Sequence, residues 1–142
     1  MVDRKELEHV LASLDDAQGL LDSAARHIDS ALVLVDSDPE AAYVVLYDGA
    51  RKSLVVVLLA QGLRPTSRGG HVGVQHAIAH QFTAPPPSDT FRPCSRLRRR
   101  RNESEYDRDS VDANEVRQDH AAVVLLLQTA CTLVPVLGVV PH

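Results

Sequence analysis

The sequence predicts an all-α fold, an up-and-down bundle of four to five helices that forms one domain over residues 1–142. Apolar residues recur at every third or fourth position through most of the chain, and no segment alternates polar and apolar residues with a period of two. The aromatic share is only 4% and Trp is absent, so Leu, Val and Ala must fill the core. Aliphatic cores of this kind suit helix–helix packing. A chain of 142 residues is also long enough to form its own core, since it buries roughly 70% of its unfolded surface.

The first third of the chain predicts two helical regions. Apolar residues at helical spacing over residues 5–14 predict a short opening helix, and a second apolar stripe continues over residues 20–35. The chain either bends or continues as a helix at residues 15–16.

A long central helix is predicted for residues 39–61. The sequence SDPE at residues 37–40 combines N-cap residues with Pro in the first turn, and Gly62 provides a natural end. This segment is apolar on nearly every side, which predicts burial at the centre of the bundle. Its polar residues stand at spacings of three and four and are expected to pair: Asp48, Arg51 and Lys52.

The second half predicts a short helix over residues 71–82 and a proline-rich connector, TAPPPSD, over residues 83–89. A further helix is expected to begin at Phe91 or Arg96 and to run to residue 105. Ser110 is then expected to cap a final helix over residues 111–134.

Compartment and partners follow from composition. The N-terminal segment is charged from its third residue and resembles no secretory signal, and Cys94 and Cys131 form no disulfide or metal-ligand pattern. These features predict a cytoplasmic protein without a metal or another cofactor. The formal net charge of −4 argues against a protein that binds nucleic acid over much of its surface, so any contact with RNA should be local.

An uncharged stretch over residues 121–140 is long enough to span a bilayer. Gln128, Pro135 and Gly138 interrupt it, and no basic cluster follows it. We therefore expect a buried bundle helix or a seam between two copies of the chain, and no membrane partner. A small membrane-associated protein that uses this helix is the remaining alternative.

The segment SRLRRRRNESEYDR, residues 95–108, is the strongest candidate for chemistry. Helical phasing places Cys94, Leu97, Arg101 and Glu105 on one stripe, whereas Arg98, Arg99 and Arg100 are expected to fan outward. A guanidinium on an apolar face is costly unless it is paired or used. Two interpretations follow. Arg101 and Glu105 form a structural ion pair, or Arg101 is positioned to donate hydrogen bonds to a phosphate while its three neighbours attract RNA phosphates.

Three segments together resemble the HEPN domain (higher eukaryotes and prokaryotes nucleotide-binding), and most closely a small actinobacterial branch of that family. They are AAYVVLYDGARKSLVVVLLAQGL at residues 41–63, RGGH at residues 68–71 and FRPCSRLRRRRNESEY at residues 91–106. The resemblance implies a bundle of four or five helices that pairs as a homodimer. It also implies a metal-independent ribonuclease of toxin type, which a cognate antitoxin protein would bind.

The family motif is an Arg, then four to six spacer residues of which the first is polar, and then a His. Arg101 and Asn102 match its start, whereas Tyr106 stands in the position of the His. The resemblance implies that Arg101 stabilises the phosphate, that Asn102 orients it and that Tyr106 supplies a proton or a hydrogen bond. Tyr has an ordinary pKa of about 10 and is a poor base at neutral pH, so this departure leaves ribonuclease activity open. The alternative is a non-catalytic helical dimer that acts as a protein-interaction or nucleotide-binding module.

Two other groups of residues are weaker candidates for a functional site. His76 and His80 share a helical face, but no carboxylate or Cys stands beside them, so they are expected to face solvent rather than to bind a metal. The loop that contains Arg64 and Arg68 is basic and lacks the P-loop pattern, so we interpret it as a connector.

Overall fold

A computed structural model describes residues 7–9, 14–65, 70–82, 87–106 and 110–136 of the chain. Within these ranges the structure is a helical bundle, as predicted, with six α-helices and one antiparallel pair of three-residue strands. The elements in chain order are β1 Leu7–His9, α1 Leu14–Leu34, α2 Pro39–Leu59, β2 Leu63–Pro65, α3 Gly70–Gln81, α4 Pro87–Phe91, α5 Cys94–Tyr106 and α6 Ala113–Leu133, followed by a 3₁₀ turn at Val134–Val136.

Helix α2 is the central element, as its apolar sequence predicts. The Asp38 side chain accepts a hydrogen bond from the Ala41 N–H at 3.1 Å and caps its first turn. The helix ends before Gly62, which adopts a φ of 78° that other residues rarely tolerate. Between these ends, α2 packs against α1, α3, α5 and α6. Its side chains form the middle of the core, where Leu46, Leu54 and Leu58 are fully buried.

Helices α1 and α2 approach each other closely at Gly49. A Cβ atom on this glycine would lie 2.9 Å from Ile28 Cγ1 and 3.1 Å from the Ala24 backbone oxygen. One turn later, the Ser53 hydroxyl donates a hydrogen bond to the Gly49 carbonyl within α2. The absence of a side chain at Gly49 therefore allows α1 and α2 to pack at this short distance.

The opening helix predicted for residues 5–14 is wrong over residues 7–9. These residues form β1, which pairs antiparallel with β2 so that Leu7 lies opposite Pro65 and His9 opposite Leu63. Three residues give too short a pattern to separate a strand from a helix, and the backbone of β2 offers hydrogen-bonding partners that are distant in sequence. Helix α1 begins only at Leu14, with Asp15 and Asp16 in a first turn where the helix dipole favours negative charge.

Asp112 rather than Ser110 caps α6. The Asp112 carboxylate accepts a hydrogen bond from the Glu115 N–H at 2.8 Å, so the predicted cap is two residues too early. Both residue types cap helices well, and only the tertiary course of the chain selects between them. The proline-rich connector is shorter than predicted, because α4 already begins at Pro87.

None of the helices in the described ranges is long and apolar enough to cross a membrane. Helix α6 contains residues 121–133 of the uncharged stretch, and the 3₁₀ turn contains residues 134–136. Helix α6 buries Val123, Leu126 and Ala130 inside the bundle. Residues 137–140 of that stretch lie outside the described ranges.

Candidate functional site

Helix α5 presents one face to the core and arginines on its other sides. Cys94 and Leu97 are buried, and Arg101 follows them on the same face and is half-buried. This face packs on α2. The predicted phase of α5, with Leu97 and Arg101 on one side, is therefore confirmed.

Arg101 lies in a polar cluster at the contact between α5 and α2. Its Nη1 donates a hydrogen bond to Asn102 Oδ1 at 3.3 Å. Burial raises the pKa of the neighbouring Tyr47 phenol to about 12, against the lowering effect of the positive charges of Arg98, Arg51 and Arg101. The Tyr47 phenol is therefore neutral at pH 7 and sits in the field of three guanidinium groups.

The three arginines predicted to fan outward behave differently from one another. Of these three, only Arg99 is exposed, whereas Arg98 and Arg100 are partly buried. Arg98 Nε donates to Gln75 Oε1 on α3 at 3.2 Å, and Arg100 donates from Nε and Nη2 to Glu115 on α6 at 2.6 and 3.1 Å. The outward prediction is wrong for Arg98 and Arg100, because both flank the core face and reach polar partners on the neighbouring helices.

The motif residue Tyr106 is the last residue of α5. The helix runs without interruption from Arg101, so positions 101 and 106 are roughly 140° apart around its axis at 100° per residue. Positions 102 and 106 are one turn apart and share a face. The side chains of residues 103–106 lie outside the described ranges, so the Arg101–Glu105 pair and the role of Tyr106 stay predictions.

A groove open to solvent lies between α5 and α6. It has a volume of about 340 Å³ and is lined by Arg96, Arg99, Arg100 and Glu115. We call it the arginine groove. Three of its four lining side chains carry positive charge, so it is a candidate site for an anionic group.

A buried carboxylate stands behind the arginine groove. Asp119 is only 4% exposed, and its Oδ1 lies 2.8 Å from Arg96 Nη2. Its Oδ2 accepts a 2.6 Å hydrogen bond from the hydroxyl of Tyr43, which is fully buried. Burial and the bond to Asp119 raise the pKa of the Tyr43 phenol far above its ordinary value, so the hydroxyl keeps the proton that it donates.

Sequence analysis missed this Tyr43–Asp119–Arg96 network, although one signal was available. Asp119 stands three residues after Val116 and four before Val123, both of which are buried on α6. That spacing places a carboxylate on the core face of the helix, where an unpaired charge is costly. The partners on α2 and α5 are far away in sequence and could be found only in the folded chain.

A second charged cluster joins α1 and α2. Asp48 pairs with Arg51 at 3.0 Å and with Lys52 at 3.1 Å, as predicted, and His27 of α1 lies 3.4 Å from the same carboxylate. Partial burial alone would raise the pKa of Asp48, but hydrogen bonds and attraction from Arg51 and Lys52 outweigh it and lower that pKa. This cluster fastens two helices that are already tightly packed.

The remaining candidate residues add no further site. No group of three His, Cys, Asp or Glu residues within the described ranges is arranged to hold a metal ion. The described side chain of His80 is exposed, whereas those of His76, Arg64 and Arg68 lie outside the described ranges. Burial raises the pKa of the Cys94 thiol to about 12, so this side chain is a neutral core residue at pH 7.

No protein-family model matches the chain, and no curated protein or solved structure is significantly similar to it. Its function must therefore be argued from the arginines of α5 and from their surroundings.

Proposed function

We propose that this chain is an RNA-directed protein of the HEPN type, a metal-independent endoribonuclease of toxin type that binds RNA phosphates along α5. One observation carries the proposal: Arg101 is held half-buried on the core face of α5 and is bonded to Asn102, the residue that follows it in the family motif. A guanidinium in such a place costs free energy unless it is paired or its charge is used, and a bond to the neighbouring amide leaves its positive charge able to attract a phosphate.

The distribution of charge supports a local contact with RNA. The chain has a formal net charge of −4, yet α5 contains five arginines, at positions 96 and 98–101, and its acidic residues come only in its last turn. Arg presents a planar fork of N–H donors that fits phosphate oxygens, and it remains charged at any physiological pH. Helix α5 is therefore the part of the described surface best suited to a phosphodiester.

The proposed chemistry assigns one task to each motif residue. The ribose 2′-oxygen attacks the adjacent phosphorus and loses its proton to water, while the bond from phosphorus to the 5′-oxygen breaks. Arg101 stabilises the negative charge on the phosphate, and Asn102 orients it. Tyr106 donates its proton to the leaving 5′-oxygen, since a neutral phenol is a better acid than base at pH 7.

The decisive test is incubation of the purified protein with cellular RNA in EDTA. Wild type is expected to cleave RNA, because no step uses a metal, and Arg101→Ala is expected to abolish cleavage. Arg117→Ala is the matched control, because Arg117 is an exposed arginine on α6 that pairs only with Asp36 among the described residues. Circular dichroism of each variant shows whether it is folded. A folded Arg101→Ala variant that cleaves like wild type would contradict the proposal.

We further propose that the active form is a homodimer. Positions 101 and 106 are roughly 140° apart around the axis of α5 at 100° per residue. A site that uses both residues therefore requires α5 of a second copy, or a change in the backbone conformation at the end of α5. Helix α6 exposes an uncharged stripe suited to such pairing, formed by Ala121, Leu125, Gln128 and Thr132.

Light scattering at micromolar concentration is expected to give about twice the 15.5 kDa chain mass. Leu125→Glu places a charge on the stripe and is expected to shift the protein towards the monomer. Val33→Glu, which makes the same kind of change at an exposed apolar position of α1, is the control for added charge. A monomeric wild type at every concentration would remove the shared site.

The second candidate function is a non-catalytic helical dimer that receives a partner protein or a nucleotide. The ion pairs of Arg96 with Asp119 and of Arg100 with Glu115 favour it, because they show that part of the arginine run holds α5 against α6. Wild type that leaves RNA intact in EDTA yet binds a protein tightly would support this function. Under the first proposal, in which the protein is a ribonuclease, the expected protein partner is a cognate antitoxin.

A further inference from the structure

The arginine groove lies on a different side of α5 from the motif residue Arg101. Arg96, Arg99 and Arg100 stand at spacings of three and four residues and therefore share one helical face. The midpoint of that face is roughly 150° from Arg101 around the helix axis at 100° per residue. A phosphate bound in the groove cannot be the one that Arg101 contacts from the same helix.

Two of the three guanidinium groups are fixed by carboxylates of α6. Arg96 has a side chain that is 53% exposed, yet its Nη2 is bonded to the buried Asp119, which Tyr43 holds from the opposite side. Glu115 accepts two hydrogen bonds from Arg100. A guanidinium that is already immobilised loses less side-chain entropy when it binds an anion.

The third guanidinium provides the excess of positive charge. Arg99 is exposed, and no residue in the described ranges is ion-paired or hydrogen-bonded to its side chain. The groove thus has three guanidinium groups, of which two are paired with a carboxylate, Arg96 with the buried Asp119 and Arg100 with Glu115. The groove is open along one side, so it suits a group on a continuing strand better than an enclosed small molecule.

The free-energy cost of burying Asp119 also points to a function for Arg96. Replacing buried ionic groups with apolar residues is often neutral or stabilising, so a buried carboxylate is weak evidence for a purely stabilising role. A carboxylate at this position does what an apolar residue cannot: it holds an exposed guanidinium at the edge of the groove.

We infer that the arginine groove is a second phosphate subsite, in which Arg96, Arg99 and Arg100 bind a backbone phosphate of an RNA strand whose cleaved phosphate lies at Arg101. The identity of the ligand as RNA rests on the proposed function. The subsite fixes the path of the strand along α5 and increases affinity without entering the chemical step.

The subsite is tested by binding a fluorescein-labelled, 2′-O-methylated single-stranded RNA, which cannot be cleaved. Fluorescence anisotropy gives Kd at several salt concentrations. Arg99→Gln and Arg96→Gln are each expected to weaken binding severalfold and to reduce the slope of log Kd against log salt by about 0.7, the value for one lost phosphate contact on a single strand. Arg117→Gln removes the same charge from an exposed site on α6 and is expected to change neither quantity.

Arg99→Gln is the cleaner variant, because Arg99 has no described partner that its loss would leave unpaired. Arg99→Gln and Arg96→Gln variants with the Kd and salt slope of wild type would overturn the subsite and leave cleavage at Arg101 standing. An equal loss in Arg117→Gln would also overturn it, since the attraction would then be diffuse. Wild type that binds no RNA would contradict the proposed function and the subsite together.

Discussion

Replacing Tyr106 with Phe is expected to slow RNA cleavage by about 10²–10⁴-fold, the range typical for the loss of a positioned acid or base. Phe keeps the ring and removes only the hydroxyl, so the proposed proton donor is lost while the residue keeps its place at the end of α5. The unfolding midpoint should therefore stay close to that of wild type. Single-turnover cleavage of a defined RNA, with thermal unfolding in parallel, measures both effects.

Tyr106→His is the companion to this variant, because His is the residue that the proposed resemblance to the HEPN motif would place at this position. Imidazole titrates near neutral pH and can accept a proton as well as donate one. We expect cleavage by Tyr106→His to persist in EDTA and to follow a pH profile with an apparent pKa near 6.5, whereas wild type should lack that inflection. Cleavage that survives Tyr106→Phe at the wild-type rate would remove Tyr106 from the mechanism.

The largest expected change in stability lies at Gly49, where α1 and α2 are in close contact. Gly49→Ala places a methyl group 2.9 Å from Ile28 Cγ1 and 3.1 Å from the Ala24 backbone oxygen. Ile28 is buried, and a backbone oxygen cannot move without its helix, so the two helices must separate. Overpacking of this kind costs about 1–3 kcal/mol, and Gly49→Val should cost more because it adds two further carbons.

Gly19→Ala is the matched control, since it makes the same substitution inside α1 where no heavy atom lies within 4 Å of the added Cβ. Ala favours the helix over Gly by about 1 kcal/mol, so Gly19→Ala should raise the free energy of unfolding while Gly49→Ala lowers it. Urea unfolding of the three variants gives both signs in one experiment. A higher free energy of unfolding for both Ala variants would contradict the prediction, because it would show that α1 and α2 move apart at little cost in free energy.

The helices were predictable where local signals agreed. The SDPE sequence and Gly62 predicted the start and the end of α2, and its apolar character predicted its central position. These signals act within a few residues of the backbone group that they satisfy, so one sequence is enough to find them. The strand pair was not predictable in this way, because β1 and β2 are separated by two complete helices.

The candidate site was predictable in phase but not in its contacts. Helical spacing alone separates Arg101 from Arg99, and the structure places Arg101 half-buried and Arg99 in solvent. Spacing within α5 cannot show that Gln75 would receive Arg98 or that Glu115 would receive Arg100. Those contacts depend on how α3 and α6 pack around α5, which follows from the whole core rather than from any one segment.

The central position of α2 has a consequence for how the molecule opens. Helices α1, α3, α5 and α6 all pack directly on α2, so none of them can leave without exposing part of it, and α2 cannot be exposed while they remain in place. Its amide protons should therefore exchange with solvent only through global unfolding, whereas amides of α4 and of the short strands should exchange through local opening. Deuterium exchange measured along the chain should thus rank α2 as the slowest segment. Gly49→Ala should accelerate the exchange of α2 amides by the same factor by which it increases the equilibrium constant for unfolding.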